Sequence, residues 1–389
     1  MGAFTSADNQ MNCMSVLGQQ FVARYQKQFN PTAAAVANEW HTMFRGGGYP
    51  QADAIFDTGT LLVQQQLCDQ TTNSGCIYHG GNIGAAGDGF KMLVCGNLGT
   101  AAATVVPATI ELIDVLAWYR ITPVTVTTAQ TCINSNTFTA SSSSGLLLTF
   151  ANDWQSFSKV RFTTTVTLPT GLSLNTDYWL VRVSATTARV ATSFANAITG
   201  TVIAFTDAGT GTHTLTMRLP RYSDGAGVNA IFFNPQATAL GAGTPALTLE
   251  YTNSAGTASR ATPTTPSAPV GKTAATSSHI LYSGATGVGK FGPFMPLQAA
   301  DAGIQSIQTI RNNATYTSGM YSVALVKSLG TFPLQILGSQ VFINFGTDMY
   351  PAFPRVYDGA AIYGLLKSGV ATPANSVVEG DLIFGWSLP

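Results

Sequence analysis

The chain has 389 residues, of which 45% are hydrophobic and only 9% charged, where roughly a quarter charged is usual. Eighteen Lys+Arg balance eighteen Asp+Glu. A zero net charge argues against a binder of nucleic acid that works through a clustered basic surface, and it favours association between protein surfaces. Aromatic residues at 10% exclude a disordered chain, and the length allows a large core in two or three domains. Little charge with much Gly, Thr, Ser and Ala points to β-structure whose surface packs against other subunits.

The opening MGAFTSADNQMNCMSVLG has no basic region followed by a long apolar run, so no signal peptide is expected. Met1 to Ser6 fits the loose myristoylation pattern, although nothing else in the chain asks for a lipid. The most hydrophobic stretch, Ala101 to Tyr119, holds Pro107, Glu111 and Asp114, which argues against a membrane span. Five cysteines (Cys13, Cys68, Cys76, Cys95, Cys132) make an odd count without regular spacing. Buried free thiols made in a reducing cytosol are expected, with a bridge such as Cys68–Cys76 as the alternative that the spacing does not support.

In chain order, Met14, Leu17, Phe21 and Tyr25 recur at near-helical spacing over residues 8–29, with Ser6 or Asp8 as cap. Asn30-Pro31 supplies an N-cap and a proline for a second helix, ending at Gly46-Gly47-Gly48 after about Phe44. Residues 1–50 therefore read as an N-terminal helical attachment segment. From Ala52 the pattern turns β-like, with strands at Ala54–Asp57, Leu61–Leu67 and Phe90–Cys95. Thr109 to Arg120 fits a helix stripe as well, but its β-branched content and the following ITPVTVTT favour a strand.

Residues 133–217 change texture. After Ser141–Ser144 come short strands at Leu146–Phe150, Val160–Val166, Tyr178–Val183 and Arg189–Thr192, with a closing strand after Gly209-Thr210-Gly211. This spacing indicates a small β-sandwich or barrel inserted into a loop of a host domain formed by 51–132 and 218–262. The host resumes at Leu219–Arg260: the Ser223–Gly227 turn, an apolar strand at Val228–Phe233, a looped return, an alternating strand at Ala246–Thr252 and an Asn253–Gly256 turn. That series reads as an antiparallel hairpin. A Pro/Thr/Ala linker spans 263–276. The 277–389 portion carries strands at His279–Ser283, Ile304–Ile310, Tyr321–Leu329, Pro333–Phe345 and Asp381–Ser387. The fold class is mainly β: antiparallel sandwich or jelly-roll domains, two short N-terminal helices and the inserted β-domain.

Sites of chemistry are scarce. Gly284–Lys290 (GATGVGK) fits the phosphate-loop spacing, but Phe291-Gly292-Pro293 follows where Ser or Thr and a helix are required. The overlapping Gly287–Gly292 fails as a dinucleotide loop for want of a βαβ context. His41, His79, His213 and His279 lie in no metal-ligand spacing and read as surface or hydrogen-bonded core residues. Asp57, Asp88, Asp153, Asp224, Asp301, Asp348 and Asp358 sit mostly where Asp builds turns. Tyr350, Phe353, Tyr357 and Tyr363, with Trp154, Trp179 and Trp386, read as core and subunit interface before sugar-binding surface.

LPRYSDGAGVNAIF and LTLEYTNSAGTASR, with the later FGPFMPLQAADAGIQSIQTI and VALVKSL, resemble a family of tailed-bacteriophage structural proteins found near head genes. The run from VRFTTTVTLPTG to GTGTHTL resembles a small β-module that recurs in phage head and tail proteins. Together they cover roughly 140–330. The resemblance implies a non-enzymatic virion component and carries over no catalytic, cofactor-binding or metal residues. The expected role is a capsid decoration or cement protein on the virion surface, made in the bacterial cytoplasm. It would be a homotrimer whose partners are the major capsid protein and its own copies, with no nucleic acid or membrane. A tail-associated adhesin that binds a host-surface glycan is the alternative. A depolymerase lacks an acid/base pair.

Overall fold

The computed structural model describes residues 6–29, 37–53, 65–71, 73–84, 89–102, 105–123, 127–141, 147–235, 239–243, 245–263, 270–271, 278–283, 292–345, 353–370 and 376–387. Ser6 caps helix α1 (Ala7–Met11) by accepting the Asn9 amide at 3.0 Å, and one π turn, Asn12–Val16, follows. Then come strands β1 (Gln20–Phe29), β2 (Trp40–Thr42), β3 (Gly48–Tyr49), β4 (Gln65–Leu67), β5 (Phe90–Gly99), β6 (Ala108–Pro123) and β7 (Gln130–Thr131). The next segment holds β8 (Ser135–Ser141), β9 (Leu147–Phe150), β10 (Lys159–Thr164), β11 (Asp177–Ser184), β12 (Thr187–Ala191), helix α2 (Phe194–Thr199) and β13 (His213–Met217). The remainder is β14 (Val228–Phe233), β15 (Leu247–Asn253), β16 (Arg260–Ala261), β17 (Val270–Gly271), β18 (Tyr282–Ser283), β19 (Ile304–Asn312) and β20 (Met320–Leu334). The series ends with β21 (Val341–Asn344), β22 (Arg355–Tyr357), β23 (Ile362–Ser368) and β24 (Ser376–Gly385).

The class is the one expected: mainly β, with antiparallel ladders and little helix. One sheet runs β21-β5-β24-β1-β3, a second β14-β20-β6-β23-β2, and a third β16-β15-β19-β7. Two cores separate these layers. Ala23, Tyr25 and Phe29 of β1 meet Leu382 and Phe384 of β24, Ile110 and Leu112 of β6, and Phe332 of β20 in one. In the other, Val115 and Tyr119 of β6, Val323 and Leu325 of β20 and Phe232 of β14 meet Leu249 and Tyr251 of β15 and Ile307 and Ile310 of β19. The second sheet thus contributes side chains to both cores, which explains the near-continuous apolar runs of β6 and β20.

From Ser135 to Met217 six strands close a barrel in the order β10-β11-β12-β9-β8-β13. Closure removes open edges. Leu148, Val160, Phe162, Leu180, Val190 and Leu215 are fully buried within it. Ser193 caps α2 by accepting the Asn196 amide at 3.1 Å, and Gly200 ends it at φ 74°, a left-handed conformation that glycine adopts freely. Ser135 and Thr216 face each other in register, so the chain enters and leaves the barrel on neighbouring strands.

Several expectations need correction. Two short helical turns do open the chain, but the helical spacing read through residue 29 gives way at Gln20: Gln20–Phe29 is a strand. Of the second expected helix, 30–36 lies outside the described residues and Trp40–Thr42 is a strand. The segment 1–50 does not stand apart either, because β1 pairs with β24 along ten residues. Val228–Phe233 and Leu247–Asn253 are not a hairpin; the first pairs with β20 and the second with β16 and β19 in another sheet. The body does not divide at 263–276, since β6 pairs with both β20 and β23. Pro333–Phe345 is two strands, with β20 ending at Leu334 and β21 starting at Val341. The strand read at Ala54–Asp57, the Gly284–Lys290 loop and most of the 263–276 linker lie outside the described residues.

Candidate functional site

A cleft of about 620 Å³ opens where the barrel meets the body. The barrel supplies Phe157, Lys159, Trp179 and Phe194, and the body supplies Asp69, Tyr222 and Tyr357 among others. Phe157 meets Phe194 edge-to-face at 5.8 Å, and Tyr222 meets Tyr357 at 5.0 Å. Ammonium groups lie over two of these rings, Lys159 over Trp179 at 5.5 Å and Lys327 over Tyr222 at 5.4 Å. Phe157 and Tyr222 both have left-handed backbones, at φ 68° and 48°. Such residues cost of order 1–3 kcal/mol and hold their place only where the surroundings impose it.

The wall of this cleft is fixed by a buried ion pair. Arg221 Nε and Nη2 donate to Asp114 Oδ2 and Oδ1 at 2.8 and 2.7 Å, and Nη1 and Nη2 also donate to the Cys68 and Val115 carbonyls at 3.0 Å each. Asp114 accepts a further bond from the Ala361 amide at 2.9 Å. Burial alone would lower the Arg221 pKa, but Asp114 outweighs it and the guanidinium is held charged more firmly than usual. The other cleft carboxylates shape turns: Asp69 Oδ1 accepts the Thr71 amide at 2.7 Å, and Asp224 Oδ1 accepts the Ala226 amide at 3.1 Å. Aromatic walls with a few fixed polar groups suit a flat ligand face, such as a sugar ring, better than proton transfer.

A second kind of surface lies on the outer sheet. β1 meets β3 only at Gln26 and Lys27, so among the described residues no strand covers the outer edge of Gln20–Tyr25. Near it in sequence, Met11, Val16, Leu17 and Val22 are exposed. At the opposite edge of the same sheet Ile336, Leu337 and Phe342 are exposed, Phe342 to 61%. Open strand edges and uncovered apolar side chains are where other chains pair and pack.

No protein-family model and no curated protein matches the chain. Among solved structures, the crystal structure of infectious bursal disease virus VP2 subviral particle aligns over 79% of this chain and 84% of that one, at 12% identity and a TM-score of 0.11. So slight a likeness carries no argument.

The residues singled out by type sort mostly into structural work. Asp153 pairs with Arg182 at 2.6 Å on the barrel surface. Asp301 accepts from Tyr251, Asn253 and Arg260 at 2.6, 2.7 and 3.0 Å, and chiefly the Arg260 bond pulls its pKa down to about 2. Asp358 accepts the Ile83 and Gly84 amides and lies 3.8 Å from buried Lys91. Asp57, Asp88, Asp348 and Tyr350 lie outside the described residues. Tyr363 is buried and donates to Asp53 at 2.6 Å, and Trp154 is buried, so the aromatic run is no exposed cluster. All five cysteines are buried and free. His79 is buried, its Nε2 3.0 Å from the Ala360 carbonyl, and His213 Nδ1 lies 2.9 Å from Thr164 Oγ1 in the barrel.

His41 and His279 come together, which their separation in sequence conceals. They face each other across an antiparallel bridge with rings stacked 4.4 Å apart, and Glu39 Oε2 lies 2.5 Å from His279 Nε2. Sequence reading also missed Arg221–Asp114. The available signals were an acidic residue, Asp114, within a mostly apolar strand, and the E-x-H spacing at Glu39–His41, which the helix expected there concealed.

Proposed function

We propose that this chain is a non-enzymatic structural protein of a tailed-phage virion, most simply a decoration or cement protein that reinforces the head through subunit contacts. The observation that carries the reading is the outer sheet, in which no strand among the described residues covers the Gln20–Tyr25 edge and Val22 and Phe342 are exposed at its two sides. Low charge, a mainly β body and the sequence resemblance support it. In this reading copies of the chain, as a homotrimer, and the major capsid protein bury those surfaces. Stable contacts of this kind remove about 1,600 Å² or more from water. The test compares particles with and without the protein under heat and osmotic shock, with copy number from quantitative mass spectrometry. Hundreds of copies and fragile depleted particles are expected; equal robustness overturns the cement role.

A tail adhesin is the second reading, favoured by the aromatic cleft between barrel and body. Glycan-array binding that disappears in Trp179→Ala would select it, as would a handful of copies per particle at the tail.

A further inference from the structure

Glu39, His41 and His279 present three donor atoms within 4.8 Å of one another, all on buried residues. The backbone places them. Residues two apart on an extended chain point to the same side, so Glu39 and His41 share one face of the β2 segment. His279 is the residue directly opposite His41 on the neighbouring segment, held by Thr42 N–H to the Ser278 carbonyl at 2.7 Å and Ile280 N–H to the Trp40 carbonyl at 3.0 Å. Phe29 closes the other side of His41, edge-to-face at 5.2 Å. The residues that introduce the two arms, Asn38 and Ser278, have left-handed backbones at φ 64° and 65°.

A second observation concerns how the donors meet. His279 Nε2 approaches Glu39 Oε2 to 2.5 Å, yet the contact lacks the alignment of a hydrogen bond. The two donors therefore sit side by side, with the His41 ring stacked on the His279 ring at 4.4 Å.

We propose that Glu39, His41 and His279 form a binding site for one divalent transition-metal ion, zinc by donor type. Two imidazoles and one carboxylate are a zinc donor set, and the soft-ligand alternative is remote because no cysteine joins the cluster. Tetrahedral bonds of about 2.0–2.1 Å put donors about 3.3 Å apart. Binding therefore parts the Glu39–His279 contact by a little under 1 Å and draws the wider pairs inward. Burial of all three residues makes the site a structural clip: it fastens β2, at the rim of the second sheet, to the segment that leads into β18.

The test uses the purified full-length chain, stripped with a chelator and dialysed, then supplied with zinc or cobalt(II) alone. About one ion per chain after gel filtration is expected by elemental analysis, with a rise in Tm on adding zinc. The cobalt form should show ligand-field bands of a nitrogen/oxygen site without thiolate charge transfer. His279→Gln and Glu39→Gln should each weaken binding at least 100-fold, while His213→Gln in the barrel leaves it unchanged. Should the site variants not fold, the wild-type stoichiometry and cobalt spectrum decide alone. No ion retained by the wild type, equal retention by folded His279→Gln, or a thiolate spectrum overturns the proposal.

Discussion

Arg221 grips Asp114 through two parallel hydrogen bonds across 107 residues of sequence, with both side chains almost wholly out of water. Removing one partner of such a pair strands a charge in a medium that solvates it poorly. Arg221→Met should therefore cost about 3–5 kcal/mol. Arg221→Met combined with Asp114→Leu should cost less than the single change, because no unpaired charge remains. Urea denaturation of the three proteins measures this; a loss below about 1 kcal/mol for Arg221→Met would count against the pair as a structural pin.

Acid should destabilise the chain through His79. Burial, then the nearby Lys91 charge, holds its pKa down to about 3, although the Ala360 carbonyl pulls the other way. The unfolded chain takes up this proton near 6.5 and the folded one does not. Stability is thus fully present above about pH 6.5 and declines as pH falls toward 3, by up to about 1.4 kcal/mol per unit. Unfolding free energies between pH 4.5 and 6.5 should show this slope, and His79→Gln should flatten it by about one proton.

The barrel should fold alone. It closes on itself, has its own buried side chains, and its first and last strands are neighbours in register. A fragment of residues 133–217 is expected to give a cooperative thermal transition and dispersed amide resonances. A molten spectrum would show that body contacts complete its core.

Gly380 sits in β24 with φ 156°, and a methyl group there would meet the Asn97 carbonyl oxygen at 1.8 Å. The clash is with backbone of the paired strand, which cannot swing aside. Gly380→Ala is expected to cost at least about 2 kcal/mol, read as a lowered urea midpoint with unchanged m-value.

Charge on the exposed apolar positions should spare folding and impair assembly. Val22→Arg and Phe342→Arg alter side chains at 52% and 61% exposure, so each should change subunit stability by no more than about 0.5 kcal/mol. Sedimentation should show the wild type self-associating and the variants less so. A wild type that is monomeric at every concentration would remove the homotrimer from the proposed function.

Legibility followed burial geometry. The barrel strands β9 to β13 were readable because one face of each is buried, which gives alternation, as in His213–Met217. β1 misled because Leu17, Phe21 and Tyr25 are four apart, and a spacing of four fits a helical turn and two strand repeats alike. Its alternation is real at Ala23, Tyr25, Lys27 and Phe29, but a buried lysine stands where an apolar residue was sought. Lys27 is tolerated because it donates to the Pro50 and Gln51 carbonyls at 3.0 and 2.6 Å. β6 looked ambiguous because Ile110 and Leu112 enter one core and Val115 and Tyr119 the other, which erases period two. Neither Glu39–His41–His279 nor Arg221–Asp114 could be assembled from spacing, since each joins segments that only the folded sheets bring together.

β24 lies between β5 and β1, and its register runs from Gln20 opposite Gly385 to Phe29 opposite Ser376. A ribosome adding about 5–20 residues per second reaches Gly385 roughly 20–70 s after Gln20. Until then β1, and β5 once it is made, stand with bare inner edges, each able to pair with the same strand of a neighbouring chain. Such exchange is open to the chain only while its closing strand is still unmade.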